Sequence, residues 1–188
     1  MLALLIAAAL AAPGSAGEAH GAVIQIGGIA GVCFAYARAG RTDAIAIERC
    51  TLALIRDPLN ARDRAATLVN RGAIYLKRKD NTLAMADFEE AVKVYPKLGE
   101  AYVGRGGVLV AEEQWAQAEA EITHGLDLGV EQPEKAYYFR ALARWGQENL
   151  RGAYFDFRKA QELAPKWKDP ADQLVYFQVT PVQAAPAR

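Results

Sequence analysis

At 188 residues the chain has the length of one domain, enough to bury a single continuous core. Its 22 Lys and Arg balance 22 Asp and Glu, so no net field is available to draw in nucleic acid or an anionic membrane over long range. The hydrophobic fraction of 52% is inflated by alanine, and clusters of Val, Ile and Thr are few, which argues against a sheet protein and for an all-α one.

Residues 1–12 form an apolar run too short to span a bilayer, and Pro13-Gly14-Ser15-Ala16 then supplies small residues. The pattern predicts a signal peptide over 1–19, cleaved near Ala16 or Ala19, and hence a periplasmic or secreted protein with no stable membrane anchor. Residues 22–31, read alone, give a strand, a glycine turn and a helix start, with Glu48 twenty residues beyond Gly28. That is similar to a flavin or nicotinamide fingerprint, but Ile26 stands where its first glycine belongs and no strand–helix alternation follows. Cys33 and Cys50 are the only cysteines. In an oxidising compartment they are natural disulfide partners, and as free thiols they would be two small buried residues; the sequence leaves both open.

From residue 65 onward the chain matches itself at a spacing close to 34 residues. Gly72, Tyr75, Ala84, Phe88, Ala91 and Pro96 reappear as Gly106, Leu109, Ala118, Ile122, Gly125 and Val130, and again, one residue later through Pro133, as Ala141, Arg144, Ala153, Phe157, Ala160 and Pro165. Small residues at 72, 84 and 91 let two antiparallel helices approach while Tyr75 and Phe88 fill the space beside them. Polar stretches at 78–81 and 146–149 mark the turns between helices, and Pro96 and Pro165 close the second helices.

These positions resemble the tetratricopeptide repeat, in three copies at 65–98, 99–132 and 134–167. The resemblance implies stacked helix-turn-helix hairpins forming a short right-handed superhelix with one concave wall. Within residues 20–64, Ala46, Cys50, Ala53 and Pro58 carry the second-helix pattern of a degenerate opening hairpin, with Cys50 where Phe88 stands. Counting back in that register puts Cys33 at the position of Arg71, facing Cys50, where a bridge contributes about 3 kcal/mol in the chain-entropy model. A capping helix is expected over 168–179, with Asp169 as N-cap and Pro170 in its first turn, and a disordered tail over 180–188.

Little in the chain suggests catalysis. Ser15, the only serine, falls within the expected signal, and His20 and His124 are the only histidines, with no His or Cys cluster at metal-ligand spacing. Glu89-Glu90, Glu112-Glu113, Glu119 and Glu121 fit solvated helix faces. The expectation is a non-enzymatic protein with no cofactor and no metal. The resemblance implies a concave wall made by the first helix of each hairpin, here Val69, Asn70, Ala73, Leu76 and Lys77, then Val103, Gly107 and Val110, then Tyr138, Leu142 and Trp145. Of the Lys/Asn/Arg clamp by which some members hold a carboxylate only Asn70 is present, and Glu100 places the opposite charge. The wall is mostly apolar and suits a partner polypeptide with aromatic or aliphatic anchors. The expected function is therefore a scaffold for protein–protein interaction in the periplasm or secreted space. A self-associating structural repeat is the alternative, and a flavin- or nicotinamide-binding protein the outsider.

Overall fold

The computed structural model describes residues 28–177, so the expected signal, most of the glycine-rich segment, residues 178–179 of the expected capping helix and the tail lie outside the described residues. Within that range the chain is all helix, in four antiparallel hairpins and a short final helix. They are α1 (Gly28–Arg38) with α2 (Ala44–Arg56), α3 (Ala61–Lys77) with α4 (Asn81–Val94), α5 (Gly99–Ala111) with α6 (Trp115–Leu128), α7 (Pro133–Gly146) with α8 (Leu150–Leu163), and α9 (Lys168–Leu174). Each hairpin packs on the next, and the first helices α1, α3, α5 and α7 touch in series along one side.

One turn geometry repeats in all four hairpins. Gly40, Lys79, Glu113 and Glu148 all take the left-handed conformation just after the first helix of a hairpin. In each, the following amide reaches back to the last turn of that helix, as from Asp80 N–H to the Tyr75 carbonyl (2.9 Å) and from Arg41 N–H to that of Tyr36 (3.0 Å). This Schellman closure satisfies the last carbonyls of the helix and sets the reversal. Side chains at three of the four positions carry a steric cost that only Gly40 avoids.

The helix crossings follow the repeat. Ala84, Ala118 and Ala153 are fully buried beside Phe88, Ile122 and Phe157, also fully buried, so small residues admit large ones between the helices. A Cβ at Gly72 would lie 2.8 Å from the Phe88 ring, and one at Gly106 would lie 2.3 Å from Ile122. Burying each of these large side chains is worth roughly 1.5–3 kcal/mol, which is what fixes the hairpin register.

The opening hairpin is built differently. Cys33 and Cys50 are bonded (S–S 2.07 Å) and fully buried. Measured from the left-handed residue of each turn, Cys33 corresponds to Gly72, Gly106 and Ala141, and not to Arg71 as the backward count has it. The first turn is longer, with Arg41, Thr42 and Asp43 between Gly40 and α2, and Asp43 caps α2 by accepting from Ala46 N–H. The bridge thus spans the very crossing that a small–large pair fills in the other hairpins. At the far end Trp167 is the N-cap of α9, so Asp169 lies inside the first turn and not at the N-cap, while Pro170 falls in that first turn as expected.

Candidate functional site

Most of the wall expected to meet a partner is closed by the stack itself. Val69, Asn70, Ala73, Leu76, Val103 and Tyr138 are at most 5% exposed, because neighbouring first helices approach closely enough for these side chains to fill the seam between them. A Cβ added at Gly107, also buried, would lie 3.2 Å from Leu76 and 3.6 Å from Phe139, which shows how near α3, α5 and α7 run. Lys77, Val110, Leu142 and Trp145 keep partial exposure.

The two aromatic anchors are engaged by the chain's own end. Tyr138 packs on Phe157 (centroids 5.6 Å) and on Trp167 (4.9 Å), and Trp145 lies against Phe157, Tyr176 and Phe177 (6.1, 5.9 and 5.3 Å). Seven residues apart, they share a face of α7 as the spacing predicts, but that face is turned toward Trp167, Tyr176 and Phe177, which flank α9. The last hairpin of a stack has no following hairpin, and the final helix supplies that cover. Burial pushes the Tyr138 phenol up, helped by the charges of Asp169 and Asp172.

A wall residue that the sequence pattern does not single out is Lys135, one helical turn before Tyr138. Burial pushes its amine down to about 8, and Arg38 of α1 and Lys77 of α3 lie within electrostatic reach and push the same way against Glu134. Cations on the first helices of two other hairpins are therefore within electrostatic reach of Lys135, and the first helices α5 and α7 carry the half-buried Val110 and Leu142. Glu100, expected as an opposing charge on this wall, is 4% exposed and accepts the backbone N–H of Glu131 (2.8 Å), which fastens the α6–α7 loop.

Behind the wall runs a ladder of ion pairs whose members stand sixteen residues apart. Arg71 holds Asp87 with two bonds (2.8 and 2.7 Å), Arg105 holds Glu121, and Arg140 holds Asp156 (2.8 and 2.9 Å). Each rung joins the two helices of one hairpin. Arg71 also donates to the Thr51 hydroxyl of the preceding hairpin (3.0 Å), and Arg144 joins Glu119 of α6 (2.7 Å) to Asp156 of α8 (2.8 Å). Burial pushes the Asp87 carboxyl up despite its partner. Glu121, a ladder member, and Glu119, which ties Arg144 to the preceding hairpin, were expected to face water and have about a quarter of their side chains exposed. The recurring Arg-to-acid interval was the sequence signal for Glu121, whereas Glu119 pairs with Arg144 of the next hairpin, outside that interval. His124 stays exposed and meets Tyr102 edge-on (4.5 Å).

The glycine segment builds no cofactor cradle among the described residues. Gly28 opens α1 with φ +67°, and the amide two residues on, at Ala30, donates to the Asp57 carboxylate (2.8 Å). A carboxylate already holds the helix N-terminus where a pyrophosphate would sit. Glu48 is exposed on α2.

A tetratricopeptide repeat model matches residues 65–98 and 134–166. No curated protein matches the sequence. Among solved structures, the first TPR of Spaghetti (RPAP3) bound to the HSP90 peptide SRMEEVD is similar at 22% identity and a TM-score of 0.55, over 61% of this chain and 90% of that one. The Arabidopsis OM64 TPR domain is similar at 23% and 0.56, over 61% and 94%. MamA 41-end from Desulfovibrio magneticus RS-1 is similar at 20% and 0.57, over 78% and 79%. At these identities the likeness speaks for the fold. The α5–α6 hairpin, which the model does not match, has Ile122 and Val130 in place of the aromatic and the proline, yet takes the same turn and crossing. The chain carries tetratricopeptide repeats at 65–98 and 134–166 and stacks its hairpins in the tetratricopeptide fold.

Proposed function

We propose that this chain is an exported scaffold that holds a segment of a partner polypeptide along the first-helix wall. The observation that carries the reading is that Arg38 and Lys77 lie within electrostatic reach of Lys135, along the series of first helices that also presents the half-buried Val110 and Leu142. A segment pairing a carboxylate with an aliphatic anchor fits that surface, since the cations orient it and the apolar contacts supply burial. The structure solved with the peptide SRMEEVD, an acidic segment, supports the choice of partner chemistry. Tyr138 and Trp145 act in this reading by fixing α9, not by touching the partner. Export is supported by the signal-like start together with the Cys33–Cys50 bridge, which suits an oxidising compartment.

The test places a photo-crosslinking residue at Val110 or Leu142, and in a control at Glu89 on the outer side of α4. Crosslinks to one protein from the two wall positions, absent from Glu89 and weakened by Lys135→Glu, are the expected outcome. Equal yield from Glu89 would remove the wall from consideration. N-terminal sequencing of the exported protein should begin at Gly17 or His20, and an intact Met1 in the cell interior would refute the location.

A further inference from the structure

In the opening hairpin, the buried residues of α1 are Ala30, Cys33 and Ala37, and those of α2 are Ala46, Cys50 and Ala53. None is larger than cysteine. In the next hairpin the buried set includes Leu68, Val69, Ile74, Leu76 and Phe88. Helices of eleven and thirteen residues are marginal alone in water, and the packing they depend on is here confined to small buried residues and the partly buried Phe34, Tyr36 and Ile47. The disulfide stands where a large buried side chain would be.

The hairpin's hold on the rest of the stack uses few large buried side chains, with Leu54 of α2 only partly buried against the core of the next hairpin. Of the α3 side chains, only Ile74 joins the buried cluster around Cys33 and Cys50. Three arginines of the following elements reach over to it: Arg71 to the Thr51 hydroxyl (3.0 Å), Arg64 to the Leu54 carbonyl (3.0 Å) and Arg78 to the Thr42 carbonyl (3.2 Å), the last two in exposed positions. Asp57 holds the start of α1 to the end of α2, within the hairpin itself.

We propose that the first hairpin is a redox-gated cap: a dithiol that reduces the Cys33–Cys50 bridge releases α1 and α2 from the stack and uncovers α3. One thiolate of the dithiol attacks a bridge sulfur, forming a mixed disulfide while the other cysteine leaves as a thiolate and takes up a proton. The second thiol of the reductant then attacks its own sulfur in the mixed disulfide, freeing the second cysteine and leaving the reductant as a disulfide. Two electrons pass to the bridge. Both cysteines are fully buried, so attack requires the hairpin to open, and the reduced hairpin has no fully buried large side chain with which to close again, its larger packed residues Phe34, Tyr36 and Ile47 being only partly buried. The bridge and the thin packing around it suffice for this behaviour wherever on the stack a partner binds.

Hydrogen exchange of the full-length chain, read by mass spectrometry before and after complete reduction with dithiothreitol, tests it. Amides of α1 and α2 should exchange faster by on the order of 100-fold, with those around Ile74 following, while α5 to α8 stay within about threefold. The double variant Cys33→Gly with Cys50→Phe installs the pair used by Gly72 and Phe88, and should keep the first hairpin protected in the presence or absence of the reductant. Unchanged protection of α1 and α2 in the fully reduced protein would overturn the proposal. So would an equal loss across every helix, which would make the bridge a clamp on the whole stack. If the double variant is as unprotected as the reduced protein, missing packing is not what makes the hairpin depend on its bridge, and the proposal fails on that ground.

Discussion

Small residues in this chain mark points where two helices meet. A Cβ built on Gly104 would lie 2.3 Å from the Phe88 ring, and Phe88 is fully buried between α3, α4 and α5 with no room to retreat. Gly104→Ala should therefore destabilise the fold by about 1–3 kcal/mol, the usual cost of overpacking. Adding Phe88→Leu frees space at the same point, and the double variant should lose less than the two single losses combined. Urea denaturation of the four proteins decides it, and strictly additive losses would show that the contact is not what limits the site. Ala84, Ala118 and Ala153 were legible as such points from their period alone. Gly104 was not, because its neighbour belongs to the preceding hairpin and no repeat period reports contacts between hairpins.

Hairpins are tied internally and to one another by charge, and the rungs differ in depth. Asp156 is 6% exposed on its side chain and receives bonds from both Arg140 and Arg144, whereas the Arg105–Glu121 rung is about a quarter exposed on each side. Removing one partner of a buried pair strands the other charge, so Asp156→Ala should cost about 3–5 kcal/mol. Glu121→Ala, at a rung that water can reach, should cost no more than about 1 kcal/mol. Equal shifts in the denaturation midpoint for these two variants would argue that depth does not set the energetics of the ladder. The hairpins themselves were readable from glycine, alanine and proline spacing. The error in placing Cys33 came from the lengthened first turn, a local change invisible to a count made from the second helix. The aromatic pair Tyr138 and Trp145 was correctly given a common face, but which neighbour that face meets depends on α9, and helical period carries no information about that.

The stacking of first helices belongs to the whole molecule, and Lys135 reports it. Arg38 and Lys77, on α1 and α3, help burial push the Lys135 amine of α7 down to about 8 from an ordinary 10.5, against the pull of Glu134. Residues so far apart in sequence influence one another because the first helices stack in series, which no single hairpin's sequence reveals. The folded chain gives up this proton near pH 8 and the unfolded chain near 10.5, so between those values the unfolded state binds more protons and stability rises with pH. Below pH 8 both states hold the proton, and the cost of burying the charge is present in full. Lys135→Met removes that cost. At pH 7 the variant should be more stable by about 1–2 kcal/mol, taking a tenfold change in proton affinity as about 1.4 kcal/mol and discounting for partial exposure. Its advantage should fade as pH rises from 8 to 10.5, because the native lysine becomes neutral in the folded protein over that window. Arg38→Gln should move the onset of the effect to higher pH by returning the Lys135 amine toward its ordinary value. Urea midpoints measured from pH 7 to 10.5 for the parent chain and both variants provide the comparison: if Arg38→Gln leaves the onset where it was, α1 does not bear on α7, and the convergence of cations on the proposed wall falls with it.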